Sequence, residues 1–324
     1  MSRAARKPAG KRGAPARGRA NPLLRLSPQA WWRTWAVLGW AATLLLVGWG
    51  LWRLEDWSTA RQRFVSCRAE WATLPAWLNR PENDPILGEI EMMIDLPPDA
   101  DLTAPDLCQR VGWSLEQSAW VAKVNEVTKQ ADGTVRIDAR FREPLAMVEV
   151  KGRAYLVDDE GVRLPISGSA AMRNPSDPNE PLLITGVVAP LPDVGRVWAA
   201  AGTDPNAGAS PDLAAGLALV RCLQSAYAAG RLQFRPWLTA VDVGNFGWRE
   251  RPLDGQLRIR TIYPRYYINW GEPPGEEYPV EASVHRKLDL LGAVYAQHGQ
   301  LPEMNLDVRG ADLRAQDAAE ANGG

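Results

Sequence analysis

The chain is short of the residue types that carry most enzymatic and metal chemistry. Among its 324 residues there are two histidines and three cysteines. His285 and His298 stand far apart on one predicted helix, a poor arrangement for a metal pair or a catalytic triad. No HExxH, GxSxG, SxxK, phosphate-binding loop or GxGxxG occurs. Without an activated nucleophile, a general acid–base pair or a metal set, the expectation is a non-enzymatic protein with no cofactor. Asp158, Asp159 and Glu160 form one acidic cluster, read as solvated turn residues rather than as a catalytic or calcium site. Cys67, Cys108 and Cys222 allow at most one internal disulfide; Cys108 with Cys222 is one option and three buried thiols the other.

Acidic residues are also missing from the start of the chain, the earliest being Glu55. Residues 1–33 hold nine basic residues, which leaves 28 basic against 38 acidic residues beyond Arg33. The net of −10 on that side disfavours nucleic acid as a partner. The asymmetry coincides with Thr34–Trp52, an uncharged run bounded by Arg33 and Arg53. As a helix rising 1.5 Å per residue, this stretch covers a hydrocarbon core of roughly 30 Å. Trp31, Trp32 and Trp35 at one end and Trp49, Trp52 and Trp57 at the other lie where amphipathic rings favour a bilayer interface. Basic residues before the span imply a cytoplasmic N-terminus and a main domain outside the inner membrane. A cleaved signal peptide, with Ser58-Thr59-Ala60 as its site, is the competing reading; the run is too long and too rich in Trp for one. Residues 1–33 read as a disordered basic tail.

Beyond the span, Trp57, Ala60, Phe64, Cys67, Trp71, Leu74 and Leu78 recur at spacings of three and four. Residues 53–85 therefore read as a helical stalk, with Trp57, Phe64 and Trp71 as candidates for pairing with a partner helix. The alternative is a stripe packed on the membrane surface or on the chain's own domain. From Ile86 the pattern alternates. Ile86–Leu96 reads as a strand and Thr103–Ala119 as helix, with Thr103 as N-cap. Trp120–Lys129 and Thr134–Phe141 have period two around a turn at Asp132-Gly133. Further strands are expected at 145–150, 153–157, 182–188, 238–243, 255–262, 265–270 and 304–308, with helices at 211–229 and 280–298. The segments 166–180 and 199–210 read as loops, and 315–324 as a disordered tail.

Three segments within Trp120–Pro165 carry a family resemblance: Trp120-Val121, Arg142-Glu143-Pro144-Leu145-Ala146, and Leu156-Val157-Asp158-Asp159-Glu160-Gly161. In that order they resemble the FtsQ/DivIB family of bacterial cell-division proteins, in which a small polypeptide-transport-associated (POTRA) domain leads into a β domain. Tyr266–Gly271, a helix with Lys287 and Leu288, and the Asp307-Val308-Arg309 step fit the same family. The chain departs from it in a POTRA half without the usual first strand and turn, in the stalk, and in the two long loops.

The resemblance implies an α+β protein: one transmembrane helix, a POTRA-like unit at 86–143 and a mixed β-sheet domain with flanking helices at 144–314. It implies a division-complex scaffold whose partners are other single-pass division proteins of the FtsB and FtsL kind and, through them, septal peptidoglycan synthases. The means would be addition of a partner strand to the last strand and its continuation, Asp307, Val308, Arg309, Gly310 and Leu313. An ordinary edge protected by Asp307, Arg309 and Asp312 is the plain alternative, and Gly310 weakens a long strand there. A membrane-anchored sensor and a wall-modifying enzyme are the competing functions; buried, converging carboxylates in a cleft would favour the enzyme.

Overall fold

The computed structural model describes residues 28–62, 67–97, 100, 104–170, 180–204, 208–252 and 254–316. The chain divides into two compact units, residues 1–64 and 65–324.

Among its described residues, the first unit is one helix, α1 (Pro28–Gln62). Its segment Trp35–Trp57 spans 23 residues and is long and apolar enough to cross a membrane. Trp40, Leu44, Leu45, Trp49 and Trp52 all stand exposed, as side chains that face lipid would. Thr43 returns its hydroxyl to the Gly39 carbonyl at 2.9 Å, so even this polar group is satisfied within the helix. Residues 1–27, which include most of the expected basic tail, lie outside the described residues, as does Phe64.

The second unit is α+β and contains two sheets. The smaller is built from β1 (Arg68–Trp71), α2 (Asp84–Met92), α3 (Leu107–Glu116), β2 (Val121–Lys129) and β3 (Thr134–Phe141), in strand order β1-β3-β2. β2 and β3 form the expected antiparallel hairpin, and β1 lies parallel to β3, with Arg68 opposite Thr134 and Trp71 opposite Ile137. Here the helical stalk is cut short: α1 continues the membrane helix through residues 53–62 as expected, but Arg68–Trp71 is strand. Cys67, Trp77 and Leu78 are buried in the core of the small unit, and Trp71 packs its ring on Phe141 at 5.3 Å. The stripe at spacings of three and four belongs to different elements, and Trp71 is a packing residue rather than one for a partner helix.

The strand expected at 86–96 is also wrong. Pro85 sits in the first turn of α2, and Ile86 and Ile90, one helical turn apart, are the buried pair. Leu107, Val111 and Leu115 form the matching stripe on α3. Between these helices and the sheet lie Trp120, Val135 and Ile137, all fully buried, and the Trp120 Nε1 donates to Glu89 at 3.3 Å. Thr103, the expected cap of α3, lies outside the described residues.

The larger sheet has nine strands: β4 (Ala146–Val150), β5 (Arg153–Val157), β6 (Arg163–Ser169), β7 (Leu182–Thr185), β8 (Leu238–Asp242), β9 (Leu257–Thr261), β10 (Tyr267–Gly271), β11 (Asn305–Asp307) and β12 (Arg314–Gln316). Their order is β12-β11-β10-β9-β8-β7-β4-β5-β6. Two connections are parallel crossovers through helices: α4 (Pro211–Ala228) joins β7 to β8, and α5 (Val284–His298) joins β10 to β11. Both helices bury one apolar stripe in the main core, Leu213, Leu217 and Val220 from α4 and Leu288 and Leu291 from α5. β6 extends to Ser169, so the loop expected at 166–180 begins later than its polar, Pro-containing sequence suggests. Likewise the expected tail at 315–324 starts inside β12. All three cysteines are thiols, with no disulfide among them. Cys67 directs its thiol at the Ala100 carbonyl at 3.1 Å, and burial pushes the Cys222 thiol up.

Candidate functional site

Two places bring together the residues singled out in the sequence. The first is the junction between the sheets. Strand β3 ends at Phe141, and the next residue, Arg142, reaches the turn that follows β5. Its Nη1 lies 2.6 Å from Asp158 Oδ2 and 3.0 Å from Glu160 Oε2, while Arg140 holds the other Glu160 oxygen at 2.9 Å. Asp158 also accepts from the backbone amides of Glu160 and Val162, at 3.0 and 2.7 Å. Within the acidic cluster Asp159 and Glu160 are exposed turn residues as expected, but Asp158 is 1% exposed and holds the turn together from inside. Burial pushes the Asp158 carboxyl up despite Arg142, whereas the Arg142 hydrogen bond draws the more open Glu160 down. Gly161 completes the turn at φ 77, where a Cβ would stand 2.7 Å from that of Ala209.

The Arg-x-Pro-x-Ala and Leu-Val-Asp-x-x-Gly segments, which are separated in sequence by β4 and most of β5, therefore meet through an ion pair. Neither motif alone discloses that contact.

The second place is the end of the large sheet. Ser283 caps α5, its side chain accepting from the Arg286 amide. One turn in, Lys287 is fully buried, with its Nζ 2.6 Å from Glu281 and 4.9 Å from the centre of the Trp270 ring. Glu281 in turn accepts from the Glu272 amide at 3.0 Å, which ties the start of the helix to the end of β10. Gly271, at φ 98, leaves no room for a side chain, since a Cβ would collide with Glu281. Burial pushes the Glu272 carboxyl up, and the neighbouring Glu281 adds to the shift.

Asp307 through Leu313 do not form the open edge expected of them. β11 lies between β10 on one side and β12 on the other, with Leu306 opposite Ala315 and Asp307 opposite Arg314. Asp307 is buried and receives the Arg309 guanidinium at 2.6 Å, a contact that raises the Arg309 pKa. The pair is an internal clamp rather than edge protection. Val308 is fully buried and donates its amide to the Asn269 carbonyl at 3.2 Å. Gly310 lies in a bend, Arg286 holds the Ala311 carbonyl at 2.9 Å, and Leu313 packs against the main core. The outermost strand at this end of the sheet is β12, in which Arg314 is exposed. So short a continuation past a bend is too weak a pattern to be read from the sequence.

Trp57 is exposed on α1, inside the apolar segment. Among the described residues no group of three or more His, Cys, Asp or Glu side chains is arranged to hold a metal. Compared with known proteins, the sequence matches no family model and no curated protein.

Proposed function

We propose that this chain is a bitopic membrane scaffold of the bacterial division machinery, of the FtsQ/DivIB kind, with its N-terminus in the cytoplasm and its two-sheet unit outside. The observation that carries the reading is the order of elements. An apolar helix is followed by strand, two helices and a hairpin, and the chain then passes through the Arg142–Asp158 pair into a nine-stranded sheet that ends in a short outer strand. That order supports taking residues 67–143 as the POTRA-like unit, with β1 supplying the first strand missing from the sequence pattern. It supports taking residues 144–316 as the β domain.

The binding mode is strand addition at the outer side of β12. Main-chain hydrogen bonds supply affinity there, and alternate side chains select the partner, a single-pass division protein of the FtsB or FtsL kind. A wall-modifying enzyme would need carboxylates free to act on a bond. The buried ones near the sheet end are engaged: Glu281 by Lys287, Asp307 by Arg309 and Glu272 by Gln256.

A photo-crosslinking residue at Arg314 of the full-length protein in living cells tests the reading, with Trp57 as the second position. Capture of single-pass division proteins at Arg314 is the expected result. Capture from Trp57 alone moves the interface to the membrane helix, and division proteins at neither position overturn the function.

A further inference from the structure

Beside the sheet edge, a crevice of about 400 Å³ opens between residues 248, 252, 254 and 255 on one side and the segment 271–281 on the other, over the ends of β9, β10 and β11. Trp248 and Tyr278 line it and stay 40% and 50% exposed. Trp248 holds φ 55, a left-handed backbone that bulky residues rarely adopt. Hydrogen bonds hold the loop that imposes this. The Trp248 amide donates to the Asn245 carbonyl at 2.8 Å and the Gly247 amide to Gln256 at 2.7 Å. The buried Asn245 side chain bonds four backbone groups, donating to the carbonyls of Arg251 and Gly255 and accepting from the amides of Glu250 and Arg251. A strained backbone is kept, yet the ring it carries is not buried. Packing therefore does not explain the strain, and presentation of the ring does.

The floor of the crevice decides what the ring is presented to. Its carboxylates are matched from within the protein: Asp307 by Arg309, Glu281 by Lys287, Asp254 by Arg258, and Glu272 by the Gln256 amide. Glu272 alone meets a neutral amide, and the exposed Arg314 on the rim supplies the fourth cation, so charge around the crevice is balanced and offers no net preference for an ion. Gly255 and Gly271 leave stretches of wall without side chains, where a Cβ would strike neighbouring groups. What faces the opening is two aromatic rings above planar groups that both donate and accept hydrogen bonds. The matching ligand is neutral, with one apolar face and a rim of hydroxyls, which describes a pyranose ring: its C–H face lies on an aromatic ring and its hydroxyls meet the floor. We propose that this crevice binds a pyranose unit of a glycan strand outside the membrane.

The proposal rests on the outward orientation proposed above but not on a division role, since crosslinking at Arg314, which also borders the crevice, can succeed whether or not the crevice holds sugar. Its test uses the full-length protein in detergent, sedimented with purified peptidoglycan and, separately, retained on chitin, which has sugars but no stem peptides. Retention on both, displaced by soluble chitotetraose, is expected. Trp248→Asn keeps a residue that tolerates the left-handed backbone and removes the ring. Tyr278→Ala changes a half-exposed position that belongs to neither hydrophobic core. Each is expected to weaken retention by about tenfold. Retention on peptidoglycan but not on chitin assigns the crevice to peptide and overturns the sugar. No retention at all, or retention unchanged in both variants, overturns the site.

Discussion

The two sheets close their cores in different ways. The core of the small sheet takes in Leu156 and Leu164, which belong to β5 and β6 of the large one, with Met147 of β4 packed alongside. The core of the large sheet, among the described residues, draws only on positions from Leu145 onward and is covered by its own α4 and α5. Dependence therefore runs one way. The large sheet has what it needs to bury its apolar face, whereas the small one is finished only once the β5–β6 hairpin is in place. Arg142 fastens the two at the same point, directly after the last strand of the small sheet.

The most severe break in that arrangement is Arg142→Ala. It leaves the Asp158 carboxylate buried with only backbone amides for partners, and loss of one member of a buried pair costs about 3 to 5 kcal/mol. Chemical denaturation should show a loss in that range, and adding Asp158→Asn should restore part of it. A loss under about 1 kcal/mol would mean that the pair does not couple the sheets. Next in size is Leu164→Ala, expected to cost about 3 kcal/mol for a fully buried leucine. Its diagnostic is location: hydrogen exchange should quicken in β2 and β3 as much as in β5 and β6. Faster exchange confined to β5 and β6 would show that the small core closes by itself.

What can be read from the sequence follows the same division between local and distant causes. The β2–β3 and β4–β5 hairpins are legible because period two and the turn residues lie within one short stretch; Lys151 and Gly152 both take positive φ, as a tight hairpin turn requires. The apolar span is legible from composition alone. Residues 86–96 mislead because Ile86, Ile90 and Ile94 also fit a period of two, and Pro85 is at once a breaker and a helix-start signal. The stripe from Trp57 to Leu78 keeps helical spacing even where the structure changes from helix to strand, since nothing local marks Arg68–Trp71 as extended. Its partner is β3, beyond both helices of the small unit. For the site, the motif residues at 142 and 158 stand out in the sequence, but not the contact between them. Lys287 stands out only through the resemblance and its burial against Glu281 and Trp270 does not, while the bent Trp248 loop gives no signal, because both depend on contacts between distant segments. The supposed edge at Asp307–Leu313 fails for the same reason: whether a strand is outermost depends on what pairs beyond it.

The smallest effect separates the two regions by the sign of their response to pH. At the junction, the hydrogen bond from Arg142 holds the Glu160 pKa below its ordinary 4.5, against the opposing pull of burial. A lowered carboxylate contributes stability that is present above the unfolded pKa and lost as pH falls through the folded one. At the sheet end, burial raises Glu272 above the same 4.5, so its contribution is complete below that value and is lost as pH rises through the folded pKa. Glu160→Gln should therefore destabilise the protein at pH 7 by no more than about 1 kcal/mol, the side chain being half exposed, and should become neutral in strong acid. Glu272→Gln should do the reverse, matching the parent at pH 4 and melting at a higher temperature at pH 8. Parallel melting curves of the two variants at both pH values check this. If both variants shifted the same way at pH 8, Glu272 would be held as a stabilising anion like Glu160, and the crevice floor would not be an environment that penalises charge.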